Sequence, residues 1–166
     1  GTTRPDSYEC KVVELADGRL MLNGRMQQNS LGFRGVSYSD DSGATWSDIH
    51  HDEELPDPIC QASLIRHTFT RGLSDKQTML LFANPAVPYP RGRDKNDQRR
   101  RLAIKLSKDE GETWPIEHVL HEGPAAYSCL VVLPDETIAC LYEAGDTDWR
   151  KTIFLARFSL RWLQAR

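Results

Sequence analysis

SDDSGATW at residues 39–46 and SKDEGETW at 107–114 both satisfy S-x-D-x-G-x-T-W, five specified positions in eight, and they stand 68 residues apart. A repeat on this scale marks units that are stacked or arranged around an axis. Each copy follows an apolar/polar alternation and precedes a shorter one, so the eight residues read as a hairpin turn. In such a turn the Asp accepts backbone N–H bonds, the Gly permits positive φ and the Trp covers the loop. A calcium loop would need further oxygen ligands that the box lacks, so the box is read as structural.

Period-2 apolar patterns recur on both sides of the boxes, and no window of helical length carries an i, i+3, i+4, i+7 stripe with caps. The chain therefore reads as all-β. Strands are expected over 9–15, 20–25, 33–39, after Trp46, 61–69, 78–84, 101–107, after Trp114, and over 127–133, 137–143, 152–159 and 160–163. ADGR at 16–19 and LPDET at 133–137 supply turn chemistry between them. Grouped around the boxes, the strands form three sets of four, at roughly 9–50, 60–120 and 125–163. These are three propeller blades, and a propeller ring closes with about 4 to 8. The chain reads as about half of such a ring.

Composition narrows the functional classes. The 166 residues are 39% hydrophobic and 27% charged, with a mean hydropathy of -0.54, enough for one ordinary core. No stretch approaches the roughly 18 consecutive apolar residues of a membrane span, and the first six residues lack the regions of a signal peptide. A formal charge of -3 argues against a nucleic-acid partner. The basic run Arg91, Arg93, Lys95, Arg99, Arg100, Arg101 and Lys105 follows NPAVPYP and reads mostly as a solvated loop. Cysteines at 10, 60, 129 and 140 form no CxxC pair and there is no clustered His, so a zinc site is not expected, and no metal ligand or cofactor is assigned from the sequence. Cys129 and Cys140 should face each other across a hairpin centred on Pro134 and Asp135, as free thiols.

In their order along the chain, several stretches resemble the exo-α-sialidases (neuraminidases) of the bacterial type. They are ECKVVELADGRLMLNGR at 9–25, the two boxes, LPDP at 55–58, RRRLAIKLSKDEGETWP at 99–115, AYSCLVVLPDETIACLYEAG at 125–145 and ARFSLRWL at 156–163. The resemblance runs along nearly the whole chain. It implies a six-bladed β-propeller with Asp-box repeats, of which this chain supplies the C-terminal half, and a sialylated glycan as substrate. The family's tyrosine nucleophile matches Tyr127 and its glutamate partner matches Glu9. Two of its three carboxylate-gripping arginines match Arg25 and Arg99, the latter by its spacing to Leu102 and to the box. The motif of the first arginine and the aspartate acid/base have no counterpart here and belong to the N-terminal half. That half, or a second copy of the chain, is the expected protein partner. If the source is bacterial, the resemblance implies a secreted or periplasmic protein.

If each blade zigzags outward from an inner strand, then first-strand starts, second-strand ends and third-strand starts share one rim. Glu9, Tyr127, Arg25 and Arg99 then share it, with the boxes on the opposite rim. The residue types suit the chemistry, because a neutral phenol is not repelled by the substrate's own carboxylate. Glu9 would accept the phenolic proton. Arg25 and Arg99 would offer bidentate forks. Glu14, of opposite parity to Glu9 on one strand, would face away. Glu143 and Asp57 are further carboxylates that no sequence argument places. Taken singly, each of these residues reads as an ordinary strand or surface side chain. Two other functions stay open here: a non-catalytic Asp-box module that binds glycans or proteins, and a trans-sialidase.

Overall fold

The computed structural model describes residues 7–27, 31–71, 75–87 and 98–165. The expectations for residues 1–6, for 88–90 and for Arg91, Arg93 and Lys95 lie outside the described residues. Four strands, β1 (Ser7–Glu14), β2 (Leu20–Met26), β3 (Phe33–Ser39) and β4 (His50–Pro56), form an antiparallel sheet in sequence order. β5 (Ser63–Arg71), β6 (Asp75–Pro85), β7 (Arg100–Ser107), β8 (Ile116–Val132), β9 (Ile138–Ala144) and β10 (Thr152–Phe158) form a six-stranded sheet in the order β10-β9-β8-β7-β6-β5. One helical turn, α1 (Leu160–Gln164), follows.

The strands alternate sides between two cores. Along β6, Met79, Leu81 and Ala83 join a cluster with Leu102, Ile104, Leu130, Ile138 and Phe158, while Leu80 and Phe82 join one with Val13, Met21, Val36 and Leu64. The second blade is thus apolar on both faces, one toward the first blade and one toward the third. An all-apolar run such as MLLFA at 79–83 is what a strand buried on both faces requires.

The two boxes repeat the same hydrogen bonds. Gly43 N donates to Ser39 Oγ at 2.8 Å, and Thr45 Oγ1 donates to Asp41 Oδ2 at 2.6 Å. Gly111 N to Ser107 Oγ and Thr113 Oγ1 to Asp109 Oδ2 have the same lengths. Gly43 and Gly111 have φ of 87° and 91°, where an L side chain is strained. Trp114, 3% exposed, also reaches the first blade. Its amide donates to Glu54 Oε2 at 2.6 Å and its indole to Asp52 Oδ2 at 3.1 Å.

Four expectations need correction. Residues 116–132 are one strand, β8, whose first part pairs with β7 and whose second part pairs with β9. The second and third blades therefore share a strand, and Tyr127 lies within it instead of opening a new one. Residues 160–163 are not a strand: Ser159 Oγ accepts from Trp162 N at 3.1 Å, capping a turn that buries Leu163. The third blade has three strands among the described residues. Cys129 pairs with Leu141 and Cys140 with Leu130, so the two thiols are offset by one residue, with Cys129 exposed and Cys140 buried. The extra turn residue is Glu136, at φ 61°. The basic run, expected mostly as a solvated loop, is not so in its described part: Arg100, Arg101 and Lys105 lie on β7, Arg101 and Lys105 reach Glu117 at 2.7 and 2.6 Å, and Arg99 is buried.

Candidate active site

Bulges re-aim two of the site residues. Between Tyr8 and Lys11 the β1–β2 register slips, with Glu9 inside the slip at φ 45°. Between Ala125 and Ser128 the β8–β9 register slips around Tyr127. A bulge turns a side chain out of strict alternation and is frequent beside functional sites. It also removes the basis for the parity contrast between Glu9 and Glu14, which assumed an unbroken strand.

The bulged residues meet. Tyr127 Oη donates to Glu9 Oε1 at 2.5 Å across 118 residues of sequence, and Arg25 Nη1 contacts Glu9 Oε2 at 2.7 Å. The Arg99 guanidinium lies 5.7 Å from the centre of the Tyr127 ring and 5.1 Å from that of Trp149, with Nη2 donating to Ile59 O at 2.7 Å. All four residues expected on one rim are thus brought together. The register agrees, because Ser39, where the first box begins, pairs with Leu20 at the opposite end of β2 from Arg25.

Three donors at this rim lack partners among the described residues: the Trp149 indole Nε1 and two guanidinium Nε atoms. The Nε atoms of Arg25 and Arg99 are buried without a hydrogen-bond partner among the described residues. An unsatisfied buried donor costs about 1–3 kcal/mol, more when charged, so each favours an incoming acceptor. A carboxylate suits a guanidinium fork best. Burial pushes the Tyr127 phenol above its ordinary value, and the bond to Glu9 and its charge push the same way, against the pull of Arg25 and Arg99. The phenol is therefore neutral near pH 7, with Glu9 poised as acceptor of its proton. Arg100 is exposed, and Arg101 is paired with Glu117, so of three consecutive arginines only Arg99 turns to Tyr127.

Beneath this rim sit residues whose roles the sequence left unassigned. Asp57 is fully buried and accepts from Met26 N and Cys60 N at 3.0 and 3.1 Å. Arg34, also fully buried, lies 3.6 Å from it and binds Asn23 Oδ1 at 2.7 Å. Burial pushes the Asp57 carboxyl up, and Arg34 pulls it back. Burial likewise pushes the Cys60 thiol up to about 12, which makes it inert as a nucleophile. Glu143 Oε2 accepts from Tyr127 N at 3.4 Å and, with Gln61 and Ser128, lines a small recess beside the phenol. Trp149 and Arg99 line a larger groove on the other side. An arginine inside the strand FRGVSYS was the available signal for the buried pair, since a charge on a core strand must be compensated. No group of three or more His, Cys, Asp or Glu side chains suited to a metal occurs among the described residues. None of the described helices is long and apolar enough to cross a membrane.

A model of the BNR repeat-like domain family matches residues 2–140. The chain is 38% identical over 156 residues to a sialidase of Micromonospora viridifaciens, covering 93% of this chain and 22% of that protein. It is 37% identical over 146 residues to a sialidase of Bacteroides fragilis strain YCH46, covering 86% and 25%. Among solved structures it is similar to a Hadza microbial sialidase, with 33% identity and a TM-score of 0.75 over 95% of this chain and 28% of that one. The chain spans about a quarter of the length of these relatives.

Proposed function

Because the chain belongs to the BNR repeat-like domain family, among the bacterial-type sialidases, we propose that its rim is part of an exo-α-sialidase active site. The reaction is the release of terminal sialic acid from glycoconjugates with retention. The observation that carries this reading is the contact of Tyr127 and Arg25 with Glu9, with Arg99 over the phenol ring.

Tyr127 Oη attacks the anomeric carbon while Glu9 takes the phenolic proton. The glycosidic C–O bond breaks, and its oxygen leaves with a proton from a general acid. A water molecule then attacks from the face that the leaving oxygen vacated, giving a proton to the deprotonated general acid, while the bond to the tyrosyl oxygen breaks on the opposite face and Glu9 returns the proton to Tyr127. Arg25 and Arg99 grip the carboxylate on the anomeric carbon, each through a fork that includes its unpartnered Nε. That carboxylate would repel an anionic nucleophile, and a phenol, neutral near pH 7 at its ordinary value and pushed further up here by burial, avoids the repulsion.

The general acid and a third arginine lie, on this reading, in the rest of the propeller. That remainder packs on the open face of the third blade, where Val131, Leu141, Ile153 and Leu155 are 47%, 46%, 65% and 62% exposed. A non-catalytic module would use the same boxes and blades, but it has no need of two guanidinium groups with unpartnered Nε atoms around a phenol–carboxylate pair.

A fluorogenic sialoside tests the reading. The 166-residue chain alone is expected to give no turnover. The assembled domain is expected to be active, and Tyr127→Phe to lower its kcat by at least about 10²-fold with folding intact. Turnover by the isolated monomer, or wild-type rates in Tyr127→Phe, would refute it.

A further inference from the structure

We propose that residues 57–61, DPICQ, are the hub that sets the spacing of this site, with Asp57 and Gln61 as positioning residues for the reaction proposed above, on which the inference rests. The segment leaves β4 and enters β5, and its polar groups together reach β2, the residue before β7, and β8. Asp57 Oδ2 accepts at 3.0 Å from the amide of Met26, the residue after Arg25. Its Oδ1 accepts from Cys60 N at 3.1 Å and closes the turn. The carbonyl of Ile59 accepts from Arg99 Nη2 at 2.7 Å. The Gln61 side chain reads the backbone of Ser128, the residue after Tyr127: Oε1 accepts from Ser128 N at 2.9 Å and Nε2 donates to Ser128 O at 3.0 Å.

One five-residue turn thus fixes three groups that arrive from β2, from the approach to β7 and from β8. Ile59 has φ 53°, a conformation that a β-branched residue holds only when its surroundings over-determine it. They do so from below: Arg34 Nη1 donates to Cys60 O at 2.8 Å and balances the buried charge of Asp57. Gln61 does for β8 what a neighbouring strand would do, pairing an N–H and a C=O at the edge that faces the middle of the ring.

The contacts divide the labour. Gln61 holds the nucleophile, so its loss falls on the chemical step, whereas Asp57 holds the turn between the two arginines, so its loss falls on capture of the carboxylate. Misplacing a reacting group by about 1 Å can cost on the order of 10²-fold in rate.

The experiment is steady-state kinetics of the assembled domain on a fluorogenic sialoside. Gln61→Met keeps the volume and removes both bonds; kcat is expected to fall about tenfold or more, with KM within about threefold of wild type. Gln61→Glu, which can still accept from Ser128 N, is expected to recover part of that loss. Asp57→Asn is expected to show the opposite split, with KM raised about tenfold and kcat changed less. If Asp57→Asn fails to fold because Arg34 is stranded, the two Gln61 variants decide alone. Wild-type kcat in Gln61→Met, or a loss traced wholly to a smaller folded fraction, would overturn the hub. Tyr127→Phe separates the two claims: an inactive Tyr127→Phe beside a wild-type Gln61→Met sinks the hub alone, and an active Tyr127→Phe sinks the sialidase reading.

Discussion

Glu9 is a glutamate held at φ 45°, a conformation that costs a non-glycine residue about 1–3 kcal/mol. That strain aims one carboxylate at both Tyr127 and Arg25. Glu9→Gln keeps the shape and the bulge but removes the proton acceptor. Its expected effect is a fall in kcat of roughly 10²–10⁴-fold with little change in melting temperature, checked by kinetics and thermal denaturation of the assembled domain. Arg99 has its guanidinium near two aromatic rings, those of Tyr127 and Trp149, within cation–π reach of both. Arg99→Lys keeps the charge and loses the fork, so KM for the sialoside should rise clearly more than kcat falls. Glu9, Arg25, Arg99 and Tyr127 were legible in the sequence because motifs carry them. Asp57 sits in the LPDP stretch and Arg34 in a core strand, yet neither position told its partner, and Gln61 carried no signal, since its bonds go to the backbone of a distant strand and leave no spacing to read.

The box is the element whose function the sequence states most fully, because its bonds are local and identical in both copies. Two hydroxyl–carboxylate contacts and a glycine amide tie each turn. Asp109→Ala removes three acceptor contacts and should cost about 1–2 kcal/mol in chemical denaturation. Bonds from Thr45 and Ser39 pull the Asp41 carboxyl down to about 2 from 3.8. At Asp109 burial acts upward, and the bonds from Thr113 and Ser107 outweigh it, so the net shift is also downward. For a lowered carboxyl, the stabilisation is complete above the unfolded value and disappears as pH falls through the folded one. The Asp41→Asn/Asp109→Asn variant should therefore lose less stability than wild type between about pH 4 and pH 2. An equal acid loss in both proteins would contradict this. Trp114→Ala should cost about 3–5 kcal/mol, well above Trp46→Ala, because Trp114 is buried on Phe82 and Trp46 is half-exposed. Other elements were hidden for physical reasons. β8 contains no breaker strong enough to part its two halves, although Gly123 and Pro124 sit at the change of partner. α1 has one turn only, too short for a helical period to register against the strand pattern before it.

The molecule as a whole is a chain of blades joined by two cores, with the middle blade covered on both sides and the third open on one. Propeller blades could be counted from the repeat, but their packing order follows from which parity of each strand is buried, as the alternation along β6 demonstrates. The open face carries isolated apolar side chains whose removal from water awaits a neighbour. Ile153→Glu with Leu155→Lys should leave the two cores intact, since both residues are more than 60% exposed, yet weaken association with the rest of the ring. Analytical ultracentrifugation of the complemented domain checks this, and unchanged association would contradict it. The central claim is that a phenol in one blade forms a bond to sugar carbon with help from a carboxylate in another. Treatment of the assembled domain with a 2,3-difluorosialic acid, followed by peptide mass spectrometry, tests it most directly. The account predicts a single glycosyl adduct on Tyr127 that is absent from Tyr127→Phe; an adduct on any other residue, or one that survives the substitution, would contradict it.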